Sequence, residues 1–283
     1  MPDKTIEVLL NELTGLNNEL VNTQRSLVKK NTEIEKLNQR LTSANLELEE
    51  FTYVASHDLK EPLRMVRLFM EKLEKGYALQ LDEKAKKYIH FAIDGANRMT
   101  ALIDELLAYA KIGSDESTKE LTDINSVLDE IIKMQQGVVA ENGATVKHGP
   151  MPIIMAFKTP VKILFQNLIS NGLKYIPKGV IPEIKVSCIE KSDEWQFDVT
   201  DNGIGISPEN HEQIFQLFKR LHTREEYAGT GMGLATCKKI AEKHGGEIWV
   251  ESEEARPTAR VGADGDDPVG GGKGSTFYFT IKK

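Results

Sequence analysis

The sequence predicts an α+β protein. A long parallel coiled coil leads into a helical hairpin that pairs with a second copy as a dimeric four-helix bundle, and an α/β sandwich follows. Three observations predict it. Apolar residues keep a heptad rhythm over about seven repeats, from Ile6 to Ala55. Two amphipathic helical segments come next, joined by the short connection Tyr77 to Leu81. From Leu121 onward, helical periodicity is interspersed with strand-like alternation. The expected parts are residues 1–50, 51–112 and 113–283, the last with a flexible insertion at 253–274.

Composition narrows the function classes. A chain of 283 residues has room for about two domains plus extensions. Its net charge of −7 leaves no basic surplus to neutralise phosphates, which argues against nucleic acid as a partner. Cys188 and Cys237 stand far apart without metal-ligand spacing, as expected in a reducing compartment. No apolar run approaches membrane-spanning length and no signal-peptide pattern opens the chain, so a cytoplasmic location is expected.

The seam of the arm runs Ile6, Leu9, Leu13, Leu16, Leu20, Leu27, Ile34, Leu37, Leu41, Ala44, Leu48, Phe51 and Ala55, broken only by Thr23 and Lys30. So narrow a stripe buries itself only against another helix of its kind, which predicts a homodimer. The heptad enters the next segment without Pro or Gly, so rotation or sliding of the arm is expected to be felt there.

That segment holds the first reactive candidate. Phe51, Val54, Ala55, Leu59, Leu63 and Val66 share a helix face, while His57 falls on the wetter flank with Asp58 beside it. A neutral imidazole is a competent nucleophile, and a neighbouring carboxylate can orient the ring and take its second proton. Pro62 lacks the amide that would bond back to the carbonyl of Asp58, so the helix is expected to loosen or bend there. The hairpin is expected to close at Lys75-Gly76 and to restart on an Asp82 cap. Its second helix is expected to bury Ala85, Tyr88, Ile89, Ala92, Ala96, Met99, Ile103, Leu106 and Ala110. Lys111 to Lys119 reads as a hinge.

In the last part, helices are expected at 123–142, 160–175, 208–218 and 232–244. Strands are expected at 145–148, 183–189, 195–201, 248–250 and 276–281. Four clusters carry chemistry. Asn167, Asn171 and Lys174 share one helix face, offering carboxamide oxygens to a hard cation and an ammonium to phosphate. Asp201-Asn202-Gly203-Ile204-Gly205 follows a strand, and its glycines allow close approach to a ligand. Phe215 and Phe218 can anchor a mobile lid, with Arg220 next to them. Gly229-Thr230-Gly231-Met232-Gly233 opens a helix and presents amides to an anion.

Taken in order behind Ser56-His57-Asp58-Leu59-Lys60-Glu61-Pro62-Leu63, these clusters resemble the transmitter of a sensor histidine kinase. The wording around His57 is closest to phytochrome-like bacterial kinases. His57 and its neighbours resemble the H box, Asn167 to Tyr175 the N box, Asp201 to Gly205 the first G box, Phe215 to Phe218 the F box, and Gly229 to Gly233 the second G box. The resemblance implies a coiled-coil signalling helix, a dimerisation and histidine-phosphotransfer hairpin, and an ATP-binding domain of the Bergerat (GHKL) type. It implies that His57 attacks the γ-phosphate of ATP with help from Asp58, and that Asn171, supported by Asn167, holds Mg²⁺. Residues matching Lys174, Tyr175, Asp201, Gly203, Gly205, Phe218, Arg220, Gly229, Gly231, Gly233 and Thr276 would contact the nucleotide. The implied partners are a second copy, the receiver domain of a response regulator and an upstream sensor domain outside this chain.

Two departures stand out. Relatives with phosphatase activity often carry Thr or Asn four residues after the histidine, where this chain has Glu61. The connection at 253–274 is unusually long, and its Gly, Asp and Pro content reads as a flexible surface loop. A GHKL-type ATPase is the rival enzyme, but it needs a glutamate where this chain has Asn167. A nucleotide-binding dimeric scaffold with weak or no kinase activity is the non-catalytic alternative.

Overall fold

The structure, a computed structural model, describes residues 3–114, 118–223, 226–227, 229–253 and 274–283. The chain divides into two compact units, Met1–Ala55 and Ser56–Lys283. The first unit is helical throughout its described residues, as the opening of α1 (Asp3–Gly76). Its seam residues Leu9, Leu13, Leu16, Leu20, Leu27, Ile34, Leu37 and Leu41 are exposed in the single chain. Thr23, a polar interruption of the seam, donates its hydroxyl to the carbonyl of Glu19 at 2.8 Å. Its hydrogen-bonding need is therefore met inside the helix.

In the second unit α1 stays helical through Pro62, which therefore does not end the helix. One missing backbone bond is absorbed because Leu59, Lys60, Glu61 and Leu63 around it favour helix. Asp82 caps the return helix α2 (Glu83–Ser114), accepting from the Ala85 amide at 2.7 Å. The hairpin buries Ser56, Ile89 and Ala96 but leaves Leu59, Val66, Phe69, Tyr88, Phe91 and Met99 exposed. Burial of Tyr88 and Met99 is thus not achieved within one chain, since two helices can cover only the stripe between them. Helix α2 also continues through Lys111 to Ser114, where a hinge was expected. Ile112 is the cause, because it is buried in the core of the α/β part. Residues 115–117, the middle of the expected hinge, lie outside the described residues.

The α/β part begins with β1 (Glu120–Asp123), α3 (Ile124–Met134), α4 (Gln136–Asn142), β2 (Thr145–His148) and β3 (Ile153–Ala156). Sequence periodicity merges α3 and α4, but the chain breaks at Gln135 (φ −87°, ψ 1°). Gly137 and the β-branched Val138-Val139 pair, all weak helix formers, follow at once. Strands β1 and β3, absent from the sequence reading, pair antiparallel as a small separate sheet. Four residues each, one of them an unbroken apolar run, give no period to read.

Helix α5 (Lys158–Lys174), strands β4 (Glu183–Glu190) and β5 (Glu194–Asp201), helix α6 (Gly233–Lys243) and strands β6 (Ile248–Ser252) and β7 (Ser275–Lys282) complete the domain. The main sheet has the order β2-β4-β5-β7-β6. Strands β2 and β4 are parallel and the other neighbours antiparallel. Alternation directs Ile184, Val186, Phe197, Val199, Phe277 and Phe279 into the core. There Phe165 of α5 meets Phe197 and Phe279 edge-on, with ring centres 5.5 and 5.2 Å away. The helix expected at 208–218 is instead two 3-10 turns, Pro208–Asn210 and Gln213–Phe215. Ile214 and Phe215 are buried, whereas Phe218 adopts a left-handed conformation (φ 61°) that no helix accommodates. Residues 254–273, nearly all of the expected insertion, lie outside the described residues.

His244 closes α6 and is almost fully buried. Its Nδ1–H donates to the carbonyl of Ile240 at 2.8 Å, so Nε2 is free to accept from the amide of Phe157 at 3.1 Å. Burial, followed by repulsion from Lys119 and Lys243, holds its pKa below the usual 6.5. A depressed folded pKa gives stability that is present above 6.5 and lost as pH falls below it, because the unfolded state takes up the proton first. Urea unfolding should therefore weaken between pH 6.5 and 5.5 by up to ~1.4 kcal/mol per unit from this one group. His244→Gln should remove that component, and an unchanged slope would refute it.

Candidate functional site

Helix α5, the loop after β5, the segment before α6 and one face of α2 enclose a cavity of about 580 Å³, within the range of small-molecule sites. Of the residues singled out in the sequence, Asn167, Asn171, Lys174, Tyr175, Asp201, Gly205, Arg220, Gly229, Gly231 and Gly233 line it.

Asp201 is part of this lining. Its Oδ1 accepts the amides of Gly203 at 2.8 Å and Ser275 at 3.2 Å. Burial pushes its pKa up to about 6, although these two amides pull the other way. Gly203 does not line the cavity; it lets the loop close. A Cβ there would stand 2.4 Å from the carbonyl oxygen of Tyr175, which accepts the Ile204 amide at 3.0 Å. Asn202 fastens the same loop to the start of β4, accepting the Glu183 amide at 2.8 Å.

Cationic side chains and a run of glycines also line the cavity. Lys174 donates to the Tyr175 hydroxyl at 3.0 Å, and its Nζ lies 2.7 Å from where a Cβ on Gly229 would be. The ammonium thus sits against the glycine segment. Gly231 has φ 82°, and a Cβ there would come within 2.9 Å of the Lys219 carbonyl, so only glycine fits. Asn167 reaches toward the first residue of α6, its Oδ1 3.3 Å from the Cβ position of Gly233. Arg220 donates to the carbonyl of Tyr227 at 2.8 Å, and Tyr227 packs 5.0 Å from Tyr175.

Phe218 and Thr276 lie elsewhere. Phe218 is 54% exposed and does not line the cavity. The hydroxyl of Thr276 pairs with Thr200 at 3.1 Å, and it is the preceding Ser275 that lines the cavity. Alternation with the inward Phe277 and Phe279 could have revealed this, since it sends Ser275 inward and Thr276 outward. The hydroxyl of Ser252 joins the same corner, bonded to the Gly274 carbonyl, to Ser275 and to the Ile206 amide. Glu105 and Ala108 of α2 were also missed, because no local pattern links them to a cavity built over 50 residues later.

His57 and Asp58 are not brought to the cavity. They sit on α1 with side chains 77% and 73% exposed, Nδ1 of His57 lying 3.3 Å from Oδ1 of Asp58. If Nδ1 carries the proton toward that carboxylate, Nε2 presents its lone pair outward. Among the described residues no helix is long and apolar enough to cross a membrane.

Two family models match. Residues 47–115 fit the His Kinase A (phospho-acceptor) domain. Residues 158–283 fit the histidine kinase-, DNA gyrase B-, and HSP90-like ATPase family. Cyanobacterial phytochrome A of Nostoc sp. is 44% identical over 88% of this chain, and phytochrome-like protein Cph1 of Synechocystis sp. 43% over 88%. Sensor protein kinase WalK of Staphylococcus epidermidis is 34% identical over 75% of it. The chain spans 30%, 31% and 36% of the length of these three relatives. Among solved structures, full-length ShkA in complex with AMPPNP aligns with a TM-score of 0.59 at 21% identity, covering 82% of this chain and 45% of that one. Histidine kinase ThkA in complex with response regulator TrrA aligns at 0.50 and 23%, covering 83% and 61%. These two are alike in fold. With a helical phospho-acceptor region ahead of an ATPase-type α/β domain, the chain belongs to the sensor histidine kinases.

Proposed function

We propose that this chain uses ATP to phosphorylate itself on His57 and passes the phosphoryl group to an aspartate in the receiver domain of a response regulator. The observation that carries the reading is the polarity of the cavity. Its lining holds a buried carboxylate and, separately, an ammonium set against a glycine segment. Adenine offers an amine to the first and a triphosphate needs the second. Tyr175 adds an aromatic side chain to the lining.

Asn171 and Asn167 suit Mg²⁺, since both line the cavity and carry hard carboxamide oxygens. Being neutral, they leave most of the attraction to the phosphates themselves. When bound, the cation would offset charge on the transferring group. In the transfer, Nε2 of His57 attacks the γ-phosphorus, the P–N bond forms, and the bond to the bridging oxygen breaks to release ADP. Asp58 orients the ring and draws on the Nδ1 proton. The P–N product then loses its phosphoryl group to a receiver carboxylate.

The exposed seam of α1 and the open stripe of the hairpin support a homodimer, in which a second copy covers both. Hydrolysis is disfavoured because Asn167 stands where the related ATPases need a base. Incubation with γ-labelled ATP and Mg²⁺ should give label on the protein that is acid-labile and base-stable, and that moves to an added receiver domain. Release of labelled inorganic phosphate with no labelled protein would overturn the reading in favour of an ATPase.

A further inference from the structure

One face of α2 engages the α/β part at helical spacing. Glu105 and Ala108 line the nucleotide cavity, Tyr109 gives its carbonyl to Nζ of Lys239 at 2.9 Å, and Ile112 enters the core. The same Lys239 stands 4.3 Å from the centre of the Tyr109 ring. Glu105 is the only member of this face with a charge inside the cavity. The hydroxyl of Thr230, between Gly229 and Gly231, donates to its Oε2. A carboxylate is therefore held at the glycine segment, against which Lys174 lies and which lines the cavity together with Arg220.

We propose that Glu105 is an internal competitor for the phosphates of the nucleotide. While α2 is docked, its carboxylate holds Thr230, and a triphosphate binds tightly only after that contact is released. Two anions cannot share one set of donors without strong mutual repulsion. The coupling is reciprocal: whatever Glu105 subtracts from triphosphate affinity, a bound triphosphate subtracts from the hold on α2. Lys239 and Ile112 keep the end of the helix in place, so Glu105 returns whenever the phosphates leave. Nucleotide occupancy thereby loosens the helix that packs beside the one bearing His57. The latch rests on the assignment of this cavity to ATP.

Calorimetric titration of the whole chain with Mg²⁺ and a non-hydrolysable ATP analogue, and separately with adenosine, tests it. Glu105→Ala should tighten the analogue roughly five- to thirtyfold and leave adenosine unchanged, because adenosine has no phosphate to compete. Glu105→Gln, which keeps an acceptor for Thr230 but loses the charge, should fall between wild type and Glu105→Ala. Equal analogue affinity in all three proteins would overturn the latch and leave the kinase reading standing. A gain for adenosine as large as that for the analogue would also overturn it, since the helix would then be blocking the whole cavity. Failure of wild type and both variants to bind either ligand would instead remove the nucleotide assignment, and the latch with it.

Discussion

Replacing His57 with alanine is expected to abolish label from γ-labelled ATP while leaving affinity for the nucleotide within about twofold. The two effects separate because the imidazole is on α1, exposed, and no part of the cavity lining. Loss should be complete, since the exposed helical His57, with the carboxylate of the next residue 3.3 Å from its Nδ1, is the proposed acceptor, whereas His222, whose Nδ1 lies 3.8 Å from Glu226, belongs to the wall of the cavity. His244 is buried with both ring nitrogens engaged, and His148 bonds to Gly149 and Asp129. Asp58→Asn should slow labelling about ten- to a hundredfold without abolishing it, because the nucleophile stays and only its orientation and proton acceptor are lost. Undiminished label on His57→Ala would place the phosphoryl group on another side chain.

The second large effect concerns Asp201. Its pKa of about 6 exceeds the ordinary 3.8 because burial outweighs the amides of Gly203 and Ser275. A raised folded pKa gives stability that is full below 3.8 and lost as pH rises through about 6, so the empty domain holds an ionised carboxylate at a cost near neutrality. An adenine amine donates more strongly to the ionised form than to the acid. Affinity for adenosine should therefore rise by up to about tenfold per unit as pH climbs toward 6, then level off near 7. Asp201→Asn should weaken adenosine by about ten- to a hundredfold at pH 7.5 and flatten the profile. If the asparagine variant keeps the wild-type slope, the titrating group is not Asp201. Adenosine is the proper probe because it lacks phosphates that titrate in the same range.

Legibility followed the range of the interactions. The heptad of α1, the Asp82 cap and the strands from Glu183 to Asp201 were readable, because each depends on neighbours a few residues away. The composition of the cavity was also readable. Asn171 and Lys174 share a turn of α5, and the glycines sit where the backbone must turn or crowd. What escaped was set by tertiary contact. The pairing of β1 with β3 joins residues 30 or more positions apart, and the 3-10 turns exist because Ile214 and Phe215 must reach the core. Glu105 could not be foreseen, since its partner Thr230 is 125 positions away.

The Ser252 hydroxyl holds both ends of the β6–β7 connection at one point, next to the amide that Ser275 gives to Asp201. Gly274 (φ 71°) packs so tightly on the Asp201 backbone that a Cβ there would overlap its carbonyl oxygen. The crossing is therefore clamped by backbone, and loop-closure entropy rises only slowly with chain length. Shortening or tagging the chain between Ser252 and Gly274 is expected to leave the Asp201 corner in place, which an unchanged affinity for adenosine would show. This makes the connection a natural place to mount a reporter on a working enzyme.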